Sequence, residues 1–306
     1  MKTLLLIMNP TAGQRRAARF LAEIVALFSS YGYENIVYMT SARGDGTRIA
    51  AENAHRADLV VCVGGDGTLN EVIAGVLRSG ADVPVGYIPA GSTNDFAASL
   101  NLSKNVIQAA RDIMEGTPQT LDVGSFNGRY FSYVASFGAF TEASYSTPQQ
   151  VKNALGHVAY VLEGVKELTN LRPVRLRFEA DGKAYEGNYI YGAISNATSI
   201  GGILSMDKDQ VDMNDGLFEA TLIHMPENLI DLSAIVHALT TRQYNMPLID
   251  FFKAGSIRIL NEQETPWTLD GEYEKGAAEI EVKNLHSVIR LQRRAQAGEE
   301  PAESEN

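Results

Sequence analysis

The sequence predicts an α/β fold with an N-terminal, doubly wound, mostly parallel sheet and a C-terminal, mainly antiparallel β domain. Strand and helix patterns alternate through the first 120 residues, which is typical of a parallel sheet with helices on both faces. Beyond residue 120, segments that alternate apolar and polar residues are joined by hairpin-type turns. With 306 residues, the chain is also longer than one hydrophobic core usually holds.

Short apolar runs mark the strands of the N-terminal domain. The segment 3–8 is a short continuous apolar run, as expected for a strand that is buried on both faces, and a strand predicted at 58–63 contains the apolar run 59–63. Two further strands are predicted at 35–39 and 83–88. Apolar residues at helical spacing predict helices around 20–28 and 107–113, and we also expect a polar helix around 45–55 and a helix at 69–78.

The C-terminal part contains mainly strand patterns. The turns Asn127-Gly128 and Asp181-Gly182 favour hairpins, and two apolar faces at 151–165 and 229–239 indicate inserted helices. We therefore predict a nucleotide-binding α/β domain at 1–120, a β-rich acceptor-binding domain at 121–294 whose final strand near 286–294 returns to the first domain, and a disordered acidic tail at 295–306. The predicted strands are 121–126, 130–136, 174–179, 184–194, 217–223, 256–260, 278–283 and 286–292.

Composition excludes several classes of protein. The net charge of −11 argues against sequence-independent binding to nucleic acid. The single cysteine, Cys62, lies in an apolar run and excludes an intrachain disulfide framework, which favours a cytoplasmic location. No apolar stretch approaches the roughly 18 residues of a membrane span, and Asn9-Pro10 ends the first apolar run too early for a signal peptide.

A glycine-rich turn, Gly64-Gly65-Asp66-Gly67-Thr68, follows the third predicted strand and opens a helix. Ligands bind at this edge of open α/β sheets, and backbone N–H groups at a helix start favour an anion such as phosphate. Neither standard nucleotide fingerprint is present. Because phosphate would repel the carboxylate of Asp66, we expect a Mg²⁺ ion between them.

Other polar turns fall on the same edge of the predicted sheet. Asn9 follows the first strand, Thr40 the second, and Thr93 and Asn94 the fourth. Each turn alone is typical of a helix cap. Together with the glycine-rich turn they make four polar turns on one edge, which predict a nucleotide cleft.

These motifs resemble the diacylglycerol kinase catalytic domain family, and more narrowly its soluble bacterial lipid kinases. The resemblance rests on Gly-Gly-Asp-Gly-Thr followed by Asn70-Glu71, and on Pro89-x-Gly-x-Thr-Asn-Asp-Phe96. It extends through Leu121-Asp122-Val123-Gly124, Asp212-x-x-Asp215-Gly216-Leu217 and Leu269-Asp270-Gly271-Glu272, and so covers nearly the whole chain. NAD kinases and phosphofructokinases share only the Gly-Gly-Asp-Gly loop of these motifs. The fold that the resemblance implies is NAD kinase/diacylglycerol kinase-like.

The resemblance implies an ATP-dependent, Mg²⁺-assisted kinase that phosphorylates the hydroxyl of diacylglycerol or a related lipid. Asp66, Asp122 and Asp270 would hold the catalytic Mg²⁺, mostly through water, and Glu272 would be the general base, with Asp270 also in the catalytic set. Asp212, Asp215 and the carbonyl of Leu217 would form a structural cation site. Nucleotide contacts are implied for Asn9, Thr40, Gly64, Gly65, Asp66, Gly67, Thr68, Glu71, Thr93 and Asn94.

The identity of the acceptor stays open in the sequence. A lipid substrate implies transient work at the inner face of the membrane, for which the basic side chains Arg15, Arg16, Arg19, Lys152 and Lys166 are candidates. A kinase of NAD or another small alcohol, and a non-catalytic nucleotide sensor, are the alternatives. An exposed edge in the predicted β domain is compatible with a homodimer.

Overall fold

The computed structural model describes residues 1–15, 17–92, 94–138, 172–200, 204–207 and 209–294. The predicted helix at 151–165 and the predicted tail at 295–306 lie outside the described residues, as do Thr93 and the basic residues Arg16, Lys152 and Lys166. The chain divides into two compact units, Met1–Val123 with Leu285–Asn306, and Gly124–Asn284.

The first unit contains a parallel sheet whose strands lie in the order β2 (Tyr33–Met39), β1 (Lys2–Met8), β3 (Leu59–Gly64), β4 (Val85–Pro89) and β17 (Glu279–Arg293). β1 and β3 are buried along most of their length, in keeping with their continuously apolar sequences. The side chains of β1 and β3 pack against Ile24, Phe28 and Ile113 from the helices. The elements are β1 Lys2–Met8, α1 Ala12–Arg15, α2 Leu21–Ser30, β2 Tyr33–Met39, α3 Asp45–Asn53, β3 Leu59–Gly64, α4 Asp66–Ser79, β4 Val85–Pro89, α5 Asp95–Ser99 and α6 Val106–Glu115, with 3-10 turns at Ala17–Phe20 and Ala54–Arg56.

The second unit contains antiparallel strands around an aromatic core. The first half of the long strand β9 pairs with β8, and its second half pairs with β7 and β12. In β8 the buried Leu176 and Phe178 alternate with exposed arginines. β5 Thr117–Phe126 and β17 Glu279–Arg293 each have residues in both units. The other elements are β6 Arg129–Phe131, β7 Val134–Gly138, β8 Val174–Ala180, β9 Lys183–Ser195, β10 Ser199–Ile200, β11 Leu204–Ser205, β12 Phe218–His224, α7 Leu229–Thr241, β13 Ile249–Ala254, β14 Ser256–Asn261, β15 Trp267–Leu269 and β16 Glu272–Glu274.

The predicted fold class is confirmed, and a few elements differ in detail. The predicted strand at 130–136 is two strands, because the chain turns at 132–133 between β6 and β7. The strands predicted at 278–283 and 286–292 form one strand, β17, which continues through Ser287 at φ 55°. The short helix α5 was not predicted. Among the helices of the described ranges, none combines the length and hydropathy of a bilayer crossing.

We expect Phe137→Ala to lower the free energy of unfolding of the second unit by about 3–5 kcal/mol. Phe137 is fully buried, with its ring centroid 4.8 Å from that of Trp267 and 6.1 Å from that of Phe178. Trp267 is the only tryptophan, so its fluorescence during urea unfolding reports this core. Ile230→Ala, at an exposed position, should change the value by less than about 0.5 kcal/mol. A loss below about 1 kcal/mol for Phe137→Ala would contradict the packing described.

Candidate functional site

The strand order of the first unit creates a topological switch point between β1 and β3. The chain leaves β1 toward β2 on one side, and β3 lies on the other side of β1. Ligands of open α/β sheets bind at the carboxyl ends of two such strands. Here Asn9 follows β1, and its Nδ2 donates to Thr68 Oγ1 at 3.3 Å, while its backbone N–H donates to the carbonyl of Val63 at 2.9 Å. Two predicted nucleotide contacts, Asn9 and Thr68, therefore meet at the expected place.

Glycines let the loops at this edge approach one another closely. A Cβ atom at Gly64 would lie 2.6 Å from the Cβ of Thr68, and a Cβ at Gly91 would lie 2.6 Å from the Cα of Gly65. The N–H of Ala90 also donates to the carbonyl of Gly64 at 2.7 Å. The backbone after β3 and the backbone after β4 are thus in contact, and larger residues would force them apart.

Helix α4 begins at Asp66, so Gly67 and Thr68 lie in its first turn. The preceding Gly65 is extended and has no side chain with which to cap the helix. The first N–H groups of a helix have no intrahelical acceptor, and they favour an anion together with the helix dipole. The start of α4 therefore presents backbone N–H groups that suit an anion, and phosphate binding by this loop stays a prediction.

Two carboxylates lie next to this helix start. The N–H of Asp95 donates to Asp66 Oδ2 at 3.0 Å, and the Tyr87 hydroxyl donates to Asp66 Oδ1 at 3.4 Å. Burial, and then the negative charge of Asp95, raise the pKa of Asp66 to about 6. A cation beside Asp66 would offset both the loss of solvation of its carboxylate and the repulsion from Asp95. The donor set therefore fits a hard divalent ion, which prefers carboxylate oxygens.

Asn94 shapes the turn that precedes Asp95. Its backbone is left-handed, at φ 55°, and its side chain bonds both backbone groups of Gly91, accepting from the N–H at 2.9 Å and donating to the carbonyl at 2.9 Å. The Tyr87 hydroxyl lies 3.4 Å from Asn94 Oδ1 and the same distance from Asp66 Oδ1. Asn94 therefore helps to hold the Gly91 backbone against the phosphate loop.

Thr40 lies in the loop after β2, and Glu71 of α4 contacts the end of that loop. The N–H of Thr40 donates to the carbonyl of Met8 at 2.9 Å. The Glu71 carboxylate accepts from the N–H of Gly44 at 2.7 Å and from that of Gly46 at 2.9 Å. These bonds give Glu71 a role in anchoring the start of α3 to α4, and its contact with a nucleotide stays a prediction.

Asp122 is buried near the end of β5. Its Oδ1 accepts from the N–H of Ser287 at 2.8 Å and lies 3.0 Å from His286 Nδ1. Ser287 adopts φ 55° within β17, a conformation that L-residues rarely adopt. Asp122 therefore stabilises this local kink. Its role at a metal ion stays a prediction.

Asp270 occupies the hairpin between β15 and β16 in the second unit. Asp270 and Gly271 have φ values of 50° and 83°, the left-handed pair of a type I′ turn. The buried Asp270 carboxylate accepts three backbone N–H groups, from Ser132 at 2.5 Å, Tyr133 at 3.0 Å and Val134 at 3.1 Å. It thereby holds the hairpin of β15 and β16 to the turn between β6 and β7.

Glu272 follows this turn on the short strand β16. Its Oε2 lies 2.8 Å from Arg129 Nη2, and Arg129 also forms an ion pair with Glu274. The Arg129 Nη1 donates to the carbonyl of Tyr273 at 3.1 Å. One guanidinium therefore contacts three consecutive residues around the candidate base.

The Asp212–Leu217 loop also lies in the second unit. Asp212 Oδ1 accepts from the N–H of Asn214 at 3.0 Å, and Asp215 Oδ1 accepts from the N–H of Leu217 at 2.9 Å. Lys253 Nζ is 3.8 Å from Asp215 Oδ2 and 3.0 Å from Glu219 Oε1. A structural cation bound by Asp212, Asp215 and the Leu217 carbonyl stays a prediction, and it would share this acidic loop with the lysine ammonium.

The predicted acids thus fall into two groups, Asp66 and Asp122 in the first unit, and Asp270 and Glu272 in the second. Within the described part of each unit, no three His, Cys, Asp or Glu side chains gather closely enough to form a metal site. A cation beside Asp66 and Asp95 would therefore need oxygens from a nucleotide or from water to complete its coordination shell.

Sequence comparisons assign both parts of the chain to known families. Residues 3–126 match the diacylglycerol kinase catalytic domain, and residues 134–291 match the YegS C-terminal NAD kinase beta sandwich-like domain. The chain is 33% identical over 293 residues to a diacylglycerol kinase of Bacillus subtilis (strain 168), covering 95% of this chain and 96% of the relative. It is 32% identical over 271 residues to a diacylglycerol kinase of Staphylococcus carnosus (strain TM300), covering 88% of both chains.

Solved structures share the fold. A diacylglycerol kinase structure from Bacillus anthracis str. Sterne aligns with a TM-score of 0.74 at 22% identity, covering 96% of this chain and 97% of the other. A second structure from the same organism aligns with a TM-score of 0.78 at 24% identity, covering 96% and 95%.

An α/β unit with a phosphate-type loop at its switch point, followed by a β sandwich, defines a kinase of this architecture. The chain belongs to the diacylglycerol kinase catalytic domain family, as the motifs predicted. Sequence reasoning did not identify Asp95, Tyr87 and Arg129 as site residues. Asp95 could have been identified, because it lies within the motif Pro89–Phe96. The residues next to Tyr87 and Arg129 in the sequence give no indication of a functional role.

We expect Asp66→Asn to stabilise the ligand-free protein at neutral pH while it impairs function. Because the folded state raises the pKa of Asp66 to about 6 from its ordinary 3.8, the folded state binds this proton more tightly than the unfolded state. Stability from this group is complete below about pH 4, falls as the pH rises to about 6, and stays lower above it. Removing the charge should therefore raise the free energy of unfolding at pH 7 by about 1–3 kcal/mol.

Urea unfolding at pH 4 and pH 7, followed by circular dichroism, measures this effect. The gain should be absent at pH 4. Glu34→Gln, at an exposed position of β2, should change stability by less than about 0.5 kcal/mol at either pH. An Asp66→Asn variant that is no more stable than the wild type at pH 7 would show that the carboxylate is not under electrostatic stress.

Proposed function

We propose that this protein transfers the γ-phosphoryl group of ATP to the hydroxyl of diacylglycerol or a related lipid. The observation that carries the proposal is the glycine loop at the switch point, where the start of α4 meets the partly buried Asp66 and Asp95. That arrangement suits a polyphosphate accompanied by a divalent cation. Membership of the family supplies the reaction class.

The ATP phosphates would contact the first turn of α4. Gly65, Gly67 and Thr68 offer backbone or hydroxyl donors there, and Asn9 orients the Thr68 hydroxyl. Phosphoryl transfer depends mainly on positioning and on neutralising charge, so a preformed backbone cradle is the main requirement. The remaining predicted nucleotide contacts, Thr40, Glu71, Thr93 and Asn94, belong to this part of the proposal.

Mg²⁺ would be held by Asp66 and its neighbour Asp95, with Asp122 and Asp270 joining through water as the motifs imply. When bound, this ion would neutralise charge on the transferring phosphoryl group. The raised pKa of Asp66 supports the assignment, since an ion beside it would restore its ionised form.

Glu272 would act as the general base. Its carboxylate would take the proton of the acceptor hydroxyl as the oxygen bonds to the γ-phosphorus, and the bond between that phosphorus and the bridging oxygen of ADP would break. The type I′ turn at Asp270-Gly271 supports this role, because Asp270 fixes the turn through three backbone hydrogen bonds and Glu272 is the next residue in the chain. Asp270 would thus serve as a brace as well as an outer member of the metal site.

A lipid acceptor is favoured by the relatives, which bear the name diacylglycerol kinase and align over nearly the whole chain. A kinase with this acceptor would work in the cytoplasm and meet its substrate transiently at the inner face of the membrane. Among the basic residues predicted for contact with anionic lipid, Arg19 lies in the described part of the chain, in the 3-10 turn Ala17–Phe20. A homodimer is compatible with this work and is part of the same proposal.

Glu272→Gln should fold normally and lose most turnover, by about 100-fold or more, because the amide cannot accept the proton. The measurement is kcat with diacylglycerol in mixed micelles, with the thermal midpoint as the check on folding. Glu274→Gln is the matched control, since it neutralises the other acid bound to Arg129 and should retain activity within about fivefold. Normal turnover by Glu272→Gln would remove Glu272 from the mechanism.

Transfer of label from γ-labelled ATP tests the acceptor. The wild-type protein is incubated with Mg²⁺ and, in parallel, with diacylglycerol, other lipid alcohols in mixed micelles, and NAD. Labelled lipid is the expected product. Label in NAD alone would move the protein to a small-alcohol kinase, and the absence of any labelled product together with tight ATP binding would make it a nucleotide sensor.

A further inference from the structure

We infer that Arg129 is the positioning residue for the base, holding the Glu272 carboxylate in its productive orientation. The inference rests on the proposed function, because it needs Glu272 to take the acceptor proton. Arg129 contacts Glu272 and does not need to touch either substrate.

The anchor for Arg129 is a rigid turn. Asn127 and Gly128 have φ values of 48° and 84°, which make a type I′ hairpin, and Arg129 is the next residue, the first of β6. Asn127 is tied to β17 by two bonds to the backbone of Glu281, from its own N–H at 2.9 Å and to its Oδ1 at 2.8 Å. The Arg129 side chain therefore extends from a backbone that is fixed on both sides of the turn.

The strand that carries the base has little support of its own. β16 is three residues long, and among the described strands it pairs only with β15. A three-residue strand at the end of a sheet is held by few backbone bonds and is prone to local opening. Its side chains consequently depend on tertiary contacts for a fixed orientation.

Arg129 supplies those contacts at three successive positions. Its Nη2 lies 2.8 Å from Glu272 Oε2, its Nη1 donates to the Tyr273 carbonyl at 3.1 Å, and Nη1 also pairs with Glu274. The side chains of Arg129, Glu272 and Glu274 are all only a quarter to a third exposed, so water screens these pairs less than it screens surface pairs. A planar guanidinium suits this task, because its donors point in fixed directions.

The arrangement explains why two acids flank the exposed Tyr273. Glu272 and Glu274 lie on the same face of β16, since side chains alternate along a strand. Arg129 bridges them, so Glu274 anchors the guanidinium from one side while Glu272 is oriented from the other. Loss of the guanidinium would leave two like charges two residues apart with no cation between them.

Arg129→Ala should lower kcat by about 10- to 100-fold, because small displacements of a catalytic group are costly to rate. The KM for ATP should stay within about twofold, since the nucleotide contacts of the proposal lie in the other unit. Arg129→Lys should recover only part of the activity, because a single ammonium cannot contact both carboxylates and the carbonyl in the same way. All variants are assayed as full-length protein with diacylglycerol in mixed micelles.

The matched control is Arg258→Ala. Arg258 also lies between two glutamates of the second unit, with Nε 2.7 Å from Glu279 and Nη1 3.5 Å from Glu179. Neither glutamate belongs to the hairpin of β15 and β16 that carries Glu272. Its removal should leave kcat within about twofold of the wild type. If Arg258→Ala slowed the enzyme as much as Arg129→Ala, general loss of ion pairs would explain both results and overturn the inference.

A double variant separates positioning from a merely structural role. If Arg129 acts through Glu272, then Arg129→Ala combined with Glu272→Gln should be no slower than Glu272→Gln alone. Effects that multiply, or a normal kcat for Arg129→Ala beside an inactive Glu272→Gln, would overturn the inference and leave the proposed base intact. Normal turnover by Glu272→Gln would instead overturn the base itself, and the inference with it.

Discussion

An acidic side chain at the start of a helix whose first N–H groups favour anions is the constraint on which the candidate site of the first unit depends. The backbone around Gly65 touches the backbone around Gly91, which leaves room for few side chains, and helix α4 then begins at once with Asp66. The loop attracts anions while Asp66 repels them. Only a ligand that brings both phosphate and a cation satisfies both features, which is why a metal–nucleotide complex fits better than a free anion.

The same constraint has a cost in stability. Burial and the proximity of Asp95 disfavour the charged form of Asp66 in the ligand-free protein. Other polar groups near the site are satisfied internally, as Glu71 is by the N–H groups of Gly44 and Gly46. Asp66 thus carries electrostatic stress that the ligand-free protein does not relieve, and such perturbed groups are typical of functional sites.

The sequence predicted those features that depend on local patterns. Continuous apolar runs identified β1 and β3, and the glycine loop followed from its place after a buried strand. Long-range features could not be predicted, because they are made by residues far apart in the chain. Arg129 and Glu272 are separated by 143 positions, and the left-handed Ser287 is stabilised by Asp122, 165 positions away. Asp270 was expected to bind metal, and its three backbone hydrogen bonds became visible only in the folded chain.

Calorimetric titration of the wild-type protein with ATP, in the presence of Mg²⁺ and in the presence of a chelator, tests the role of Asp66 most directly. We expect tight binding only with Mg²⁺, and we expect Asp66→Asn to lose most of that dependence because its amide does not repel phosphate. Equal affinity of the wild-type protein for ATP with and without Mg²⁺ would contradict the account, since the carboxylate would then lie too far from the phosphates to require a cation.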